Sequence, residues 1–175
     1  MENRAKMWSV RKSDGKARRA VCLAAVGVAY AAVSANAQDL SGLPAQLLEK
    51  VEAAQQACSN LENGQFAVEF GAVHRVDLDG DLYSDWVLDE EGFACSSVPS
   101  MYCGTGGCVS HFLIGDHVNS LLNQGWDMTQ IGPNRVLFAN VHYSQCGGIS
   151  PSPCVVASVW DDAEMMWRTT AAEWE

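Results

Sequence analysis

The sequence carries very little positive charge beyond its first nineteen residues. Only four Lys and Arg residues follow residue 37, against nineteen Asp and Glu, so this part of the chain has a net charge of −15. Phosphates of nucleic acids and anionic lipid surfaces repel such a domain, which excludes both as partners. The surplus of carboxylates favours cations, basic proteins or plain solubility in a salty medium.

Long apolar runs are also missing. The run from Ala20 to Val33 has 14 residues, whereas a membrane-spanning helix needs about 20. Seven basic residues precede this run and Ser34-Ala35-Asn36-Ala37 follows it, which is the order of a secretory signal peptide and its cleavage site. We therefore expect residues 1–37 to be a signal peptide. Residues 38–175 would then form one globular domain, periplasmic or secreted, with no membrane insertion after cleavage.

Internal repeats, low-complexity tracts and catalytic signatures are absent as well. The chain has neither a Gly-x-Ser-x-Gly elbow nor a Cys-x-x-Cys redox motif. A Ser-His-Asp set could be assembled on paper from His74, His111, His117 or His142, but only geometry identifies a real one. His111 and His142 lie in strand-like runs, where a half-buried or surface histidine is the ordinary expectation. The sequence thus favours a protein that is not an enzyme.

Cysteine is plentiful and supports export. Six cysteines follow the signal peptide, and an even number is typical of disulfides in an oxidising compartment: Cys58, Cys95, Cys103, Cys108, Cys146 and Cys154. A turn-rich segment separates Cys146 from Cys154 and predicts that they pair. Of the three cysteines between residues 95 and 108, we expect one to pair with a neighbour there and another with Cys58. The competing interpretation is a zinc site built from the pairs 103/108 and 146/154, although these spacings are loose.

One amphipathic helix is predicted near the start of the mature chain. Apolar residues recur every three or four positions from Leu43 to Leu61, with charged and amide side chains between them. This spacing is typical of a helix with one buried face. Ser41 can cap its first turn, Pro44 fits that turn, and Asn63-Gly64 ends it.

Beyond Gly64 the periodicity changes to two, which predicts short strands. Gly, Pro, Asn and Asp residues separate the runs, and the connections are too short for parallel crossovers. We therefore predict an α+β domain in which the N-terminal helix packs on an antiparallel, meander-like sheet of five or six strands, stapled by disulfides. The runs are 66–70, 86–88, 112–114, 126–128, 136–138, 156–160 and 165–167.

An Asp-rich segment, Asp77-Leu78-Asp79-Gly80-Asp81-Leu82-Tyr83-Ser84-Asp85, is the one stretch with clear chemistry. Carboxylates at positions 1, 3, 5 and 9, with a backbone carbonyl from position 7, can converge on one hard cation, and calcium suits an all-oxygen site. The alternative is a solvated Asp-Gly turn between two strands. The predicted metal ligands are Asp77, Asp79, Asp81, Tyr83 and Asp85.

This segment resembles the calcium loop of FG-GAP and VCBS repeats and, more distantly, that of dockerins. The resemblance covers about a dozen residues, so it implies a loop chemistry and no fold. Those loops have Gly at position 6, where the chain turns with positive φ, and this chain has Leu82. The order of parts also resembles that of small uncharacterised periplasmic proteins of Gram-negative bacteria, which implies a location.

Two classes of function remain. The first is an exported, non-enzymatic binding or interaction module for a protein or glycan ligand, whose Asp loop is stabilised by calcium. The alternative is a secreted inhibitor of a basic enzyme such as a lysozyme, because a small acidic domain suits a basic cleft. Some tryptophans could line a glycan-binding or protein-binding face, although alternating strand positions favour core packing: Trp126, Trp160, Trp167 and Trp174.

Overall fold

The computed structural model describes residues 37–146 and 154–170. The predicted signal peptide lies outside these residues except for Ala37, so its cleavage and the domain boundary stay predictions. The described residues fall within one compact unit, Ser34–Glu175. Among them, no helix is both long enough and apolar enough to cross a membrane.

The one α-helix in the described part of the chain, α1, spans Ala45–Asn60. It follows Pro44 directly, and no side chain caps its first turn, so the cap predicted at Ser41 is wrong. Its buried face repeats every three or four residues, as an amphipathic helix requires, and consists of Leu47, Val51, Ala54 and Cys58.

Eleven antiparallel strands within residues 37–146 and 154–170 form three sheets. The small sheet pairs β1 (Phe66–Val68) with β4 (Phe93–Cys95). The central sheet has the order β2-β3-β6-β5, with β7 on the other edge of β6. Its strands are β2 (Val73–Val76), β3 (Asp85–Asp89), β5 (Cys103–Gly104), β6 (Gly107–Ile114) and β7 (His117–Asn123).

The back sheet has the order β11-β10-β9-β8. Its strands are β8 (Trp126–Ile131), β9 (Asn134–Val141), β10 (Cys154–Asp161) and β11 (Met166–Thr170). Two short 3-10 helices, Glu90–Gly92 and Tyr143–Cys146, complete the described elements.

The central sheet is covered on both faces. Leu88 and Leu113 point to one side, where they pack with the buried face of α1 and with the small sheet. Val87 and Phe112 point to the other side and pack with the back sheet. Two hydrophobic cores therefore lie on opposite faces of one sheet, an arrangement that buries more apolar surface than one face could. A third, smaller cluster lies in the back sheet around Ala139, Val141 and Cys154.

The predicted α+β fold, with one helix on one sheet, is wrong, because the protein is mostly β and has three sheets. The prediction fails because the runs around residues 86–88 and 112–114 do not alternate between apolar and polar residues. Each run is continuously apolar, as Val87-Leu88 and Phe112-Leu113-Ile114 show. A continuous apolar run is typical of a strand buried on both faces, and such a strand needs a layer on each side.

Three disulfides join the six cysteines: Cys58–Cys95, Cys103–Cys108 and Cys146–Cys154. This confirms the predicted pairing. Zinc binds cysteine as the thiolate, and all six sulfurs are in disulfides, so the zinc interpretation is wrong. Three disulfides indicate an oxidising, non-cytoplasmic compartment. The first bridge ties the last turn of α1 to the small sheet.

Candidate functional site

The Asp segment forms the turn of the β2–β3 hairpin, and its backbone is held largely by its own carboxylates. Oδ1 of Asp77 accepts a bond from the Gly80 N–H at 2.7 Å, and Oδ2 of Asp85 accepts one from the Leu78 N–H at 2.9 Å. Leu78 is fully buried in the core between the central and back sheets. The loop is therefore anchored by a core side chain between its first two aspartates.

Three of the predicted ligands lie together. Carboxylate oxygens of Asp77, Asp79 and Asp85 all lie within 4.8 Å of one another, a grouping that could hold a metal ion. Asp81 is exposed, and its Oδ1 accepts a bond from the Tyr83 N–H at 2.7 Å. Metal contacts by Asp81 and by the Tyr83 carbonyl stay predictions, as does the identity of the metal.

Position 6 of the loop adopts the backbone conformation that its resemblance to calcium loops implies. Leu82 has φ +73°, a left-handed conformation that is unfavourable for a residue with a Cβ. Its side chain is 90 % exposed, so no packing compensates for this strain. The turn thus keeps the geometry for which these loops use glycine, although glycine is absent.

The carboxylates of the cluster are hard to ionise together. Burial, reinforced by the charges of Asp79, Asp81 and Asp77, raises the pKa of Asp85 from 3.8 to about 6, against the bond from the Leu78 N–H. Burial also raises the pKa of Asp79, and the neighbouring charges of Asp81, Asp162 and Asp77 add to it. A bound cation would therefore stabilise the ionised carboxylates, because it supplies positive charge that offsets their mutual repulsion.

Two arginines reach the edge of the cluster, Arg75 and Arg135. Nε of Arg75, on β2, donates to the Asp85 carbonyl at 3.1 Å. Nε of Arg135, on β9, donates a hydrogen bond to the Asp77 carbonyl at 2.9 Å and lies 3.9 Å from Oδ2 of Asp77. Both guanidinium groups thus bind mainly backbone carbonyls of the loop. Arg135 fixes Asp77 against the back sheet, and most of the cluster's negative charge stays uncompensated.

A cleft of about 730 Å³ is lined by residues from the β3, β6 and β7–β8 regions. At its side, the Trp126 indole N–H donates to Oδ1 of Asp89 at 3.0 Å, and Nε2 of His74 lies 2.9 Å from Oδ2 of the same carboxylate. Its lining contains four carboxylates and neither Lys nor Arg among the described residues: Glu69, Asp89, Glu91 and Asp127. The cleft is therefore strongly acidic.

Two of the other tryptophans that were candidates for a binding face, Trp160 and Trp167, pack in the core. Trp160 is buried and contacts Trp167 edge-on, with ring centroids 5.5 Å apart. Trp126 is half-buried and lines the cleft, which makes it available to a ligand. Trp174 lies outside the described residues.

His111 differs from its prediction as a half-buried or surface residue, because it is only 5 % exposed. Both of its ring nitrogens are bonded, one to Ser120 and the other to Glu90. The three residues belong to β6, β7 and a 3-10 helix, so no local pattern in the sequence links them.

Comparison of this chain with protein-family models, with curated proteins and with solved structures finds no match in any of the three. The resemblance of residues 77–85 to FG-GAP, VCBS and dockerin loops therefore rests on those residues alone.

Proposed function

We propose that the mature chain is an exported binding domain whose Asp loop is stabilised by calcium. The observation that carries this proposal is the approach of the Asp77, Asp79 and Asp85 carboxylates to within 4.8 Å of one another. Without a cation this grouping is unfavourable, because burial and mutual repulsion raise the pKa of two of the three. Carboxylate and carbonyl oxygens suit calcium better than magnesium, which demands a smaller octahedral site.

Calcium would act on the fold through the loop's anchor. Leu78 stands between two of the carboxylates and reaches the core shared by the central and back sheets, so an ion that fixes Asp77 and Asp79 also fixes this side chain. A stabilised loop holds β2 and β3 in register, and both strands contribute to the walls of the acidic cleft. The ligand-binding part of the proposal rests on that cleft.

Calcium is expected to raise the melting midpoint. With a dissociation constant of about 0.1 mM, as in extracellular modules, about 1 mM free calcium adds roughly 1.4 kcal/mol. For about 140 residues this moves the midpoint upward by roughly 3 to 5 °C. Differential scanning calorimetry of the oxidised mature protein in calcium, magnesium and chelator measures the shift.

Three variants make this measurement decisive. Asp79→Ala should abolish the calcium shift, whereas Asp116→Ala, an exposed aspartate outside the loop, should keep it. Leu82→Gly should raise the midpoint in chelator by relieving the positive φ and leave the calcium shift intact. Equal midpoints in chelator and calcium, for both the parent and Leu82→Gly, would remove the metal from the proposal and leave a solvated turn.

As a second candidate we propose inhibition of a basic enzyme such as a lysozyme. The observation that favours it is the cleft lined by four carboxylates with neither Lys nor Arg among its described lining residues. The half-buried Trp126 at its side offers an aromatic face to a cationic side chain. A cleft of this kind accepts an Arg or Lys from a partner, and electrostatic attraction speeds its approach.

Inhibition predicts stoichiometric, salt-sensitive binding to a basic lysozyme, measured by isothermal titration calorimetry. Glu69→Gln with Glu91→Gln should weaken binding about five- to tenfold, since each charge at the rim of an interface is worth up to about 1 kcal/mol. Glu49→Gln with Glu52→Gln makes the same charge change on the exposed side of α1 and should have little effect. If both pairs weaken binding equally, attraction to overall charge and not the cleft is responsible.

A further inference from the structure

A buried histidine on the central sheet connects a carboxylate to an exposed serine. His111 of β6 and Ser120 of β7 are directly opposite each other in register, and Nδ1 of the histidine lies 2.7 Å from Oγ of the serine. Nε2 of the same ring lies 3.0 Å from Oε1 of Glu90. The imidazole is buried, the carboxylate is partly buried, and the serine is exposed to solvent.

The carboxylate fixes the direction of one hydrogen bond, and the charge of the ring decides the direction of the other. An ionised carboxylate can only accept, so the proton between His111 and Glu90 belongs to Nε2. A neutral imidazole then has a lone pair on Nδ1, and the Ser120 hydroxyl must donate to it. With the ring neutral, the serine proton is directed at a base whose other nitrogen, Nε2, donates to the carboxylate.

This is the relation of nucleophile, base and orienting acid that activates a serine. The ring is used in the opposite sense from the common serine hydrolases, in which Nε2 faces the nucleophile. Either imidazole nitrogen can accept the proton, so the reversal changes the shape of the site and leaves the chemistry available. The set also differs from the exposed pair formed by Ser144 and His142, at 2.8 Å, where no carboxylate among the described residues bonds the histidine.

The surroundings of Ser120 indicate the class of substrate. Val118 and Leu122 lie two residues to either side and therefore on the same face of β7, and Leu122 is exposed. A hydroxyl on an open face between two apolar side chains can be reached by a short acyl chain. Val118 and Leu122 offer only a small apolar surface, which suits a short acyl chain better than a long one.

We propose that Ser120 is an activated nucleophile that takes the acyl group from short-chain carboxylic esters, with His111 as the base and Glu90 as a positioning residue. Ser120 Oγ bonds to the ester carbonyl carbon while its proton passes to Nδ1 of His111. The bond from that carbon to the leaving oxygen then breaks, and the same proton goes to the departing alcohol. Water then attacks the carbonyl carbon of the serine ester and gives a proton to Nδ1 of His111. That proton passes to Ser120 Oγ as the carboxylic acid leaves.

This activity is independent of the Asp loop, so it is tested in chelator on the oxidised mature protein. A fluorophosphonate probe is added, and the modified residue is identified by peptide mass spectrometry. Oγ displaces fluoride from phosphorus, and the expected result is one adduct, on Ser120, formed in the folded protein and absent after unfolding. The protein should also release p-nitrophenol from p-nitrophenyl acetate, and Ser120→Ala should remove both reactions.

The remaining variants separate chemistry from folding. Glu90→Gln keeps a bond acceptor for Nε2 but loses the charge, so it should lower the maximal rate of labelling by about tenfold or more while the concentration of probe for half-maximal rate stays the same. Ser144→Ala should change nothing. The proposal is overturned if the folded protein gives no adduct, if Ser144 reacts as fast as Ser120, or if Glu90→Gln, with an unchanged melting midpoint, reacts as fast as the parent.

Discussion

Replacing Cys58 and Cys95 together by alanine is expected to lower the free energy of unfolding by about 4 kcal/mol, from the entropy of the unfolded chain. The two residues are separated by 37 positions, so the bridge removes a large number of unfolded conformations. It also joins the last turn of α1 to the small sheet, on the side of the central sheet that this helix covers. Because a domain of this size has a total stability of about 5 to 15 kcal/mol, this loss takes much of it.

Removal of Cys103–Cys108 is the matched control. That bridge spans only 5 positions across the β5–β6 hairpin, and the same relation gives a loss of about 2 kcal/mol. Urea unfolding of both double-alanine variants, at equal pH and in the absence of calcium, measures the difference. If the short bridge costs as much as the long one, restriction of the unfolded chain is not the origin of the stabilisation.

Raising the pH from about 4 to about 6.5 is expected to lower the stability of the calcium-free protein by about 2 kcal/mol through Asp85. Its pKa is about 6 in the folded protein against 3.8 ordinarily, because of burial and the neighbouring aspartates. The folded state therefore holds this proton more tightly, and stability present below pH 4 is lost as the pH rises through 6. The full shift would give about 3 kcal/mol, and partial exposure to solvent reduces it.

Asp85→Asn is the control for this pH dependence. The amide resembles the protonated carboxyl and keeps an acceptor for the Leu78 N–H, so the variant should show a flatter profile. Asp39 and Asp161, whose pKa values are lowered by bonds from Ser41 and Arg168, act in the opposite direction and are common to both proteins. Saturating calcium should also flatten the parent's profile, since the ion replaces the proton. Parallel profiles for parent and variant would show that Asp85 is not the responsible group.

Much of the local structure could be predicted from the sequence. Helix α1 begins within two residues of the predicted start, because its apolar spacing leaves few alternatives. The seven apolar runs each coincide with a strand, while β2, β4, β5 and β7 were missed. β7, with the sequence His-Val-Asn-Ser-Leu-Leu-Asn, lies at the edge of the central sheet and carries polar residues on both faces, so no apolar alternation marks it.

Of the two candidate sites, one could be predicted from the sequence and the other could not. The spacing of the aspartates within one short turn was enough to predict the cluster of Asp77, Asp79 and Asp85, since a tight turn brings alternate side chains together. The set of Glu90, His111 and Ser120 could not be predicted, because it depends on which residue of β7 lies opposite His111. A slip of one residue in the register of a hairpin moves every side chain to the other face. The sequence of β7 does not specify its register.

The sequence by itself determined the properties that depend on composition and on neighbours along the chain. These are the acidic charge, the short disulfide pairings, the amphipathic helix and the Asp turn. Only the tertiary structure decided that the strands divide into three sheets, that the central one is buried on both faces, and that a carboxylate, a histidine and a serine from separate elements meet there. The reason is physical: local sequence fixes the period of each element, whereas layer order and strand register depend on burying all the apolar faces at once.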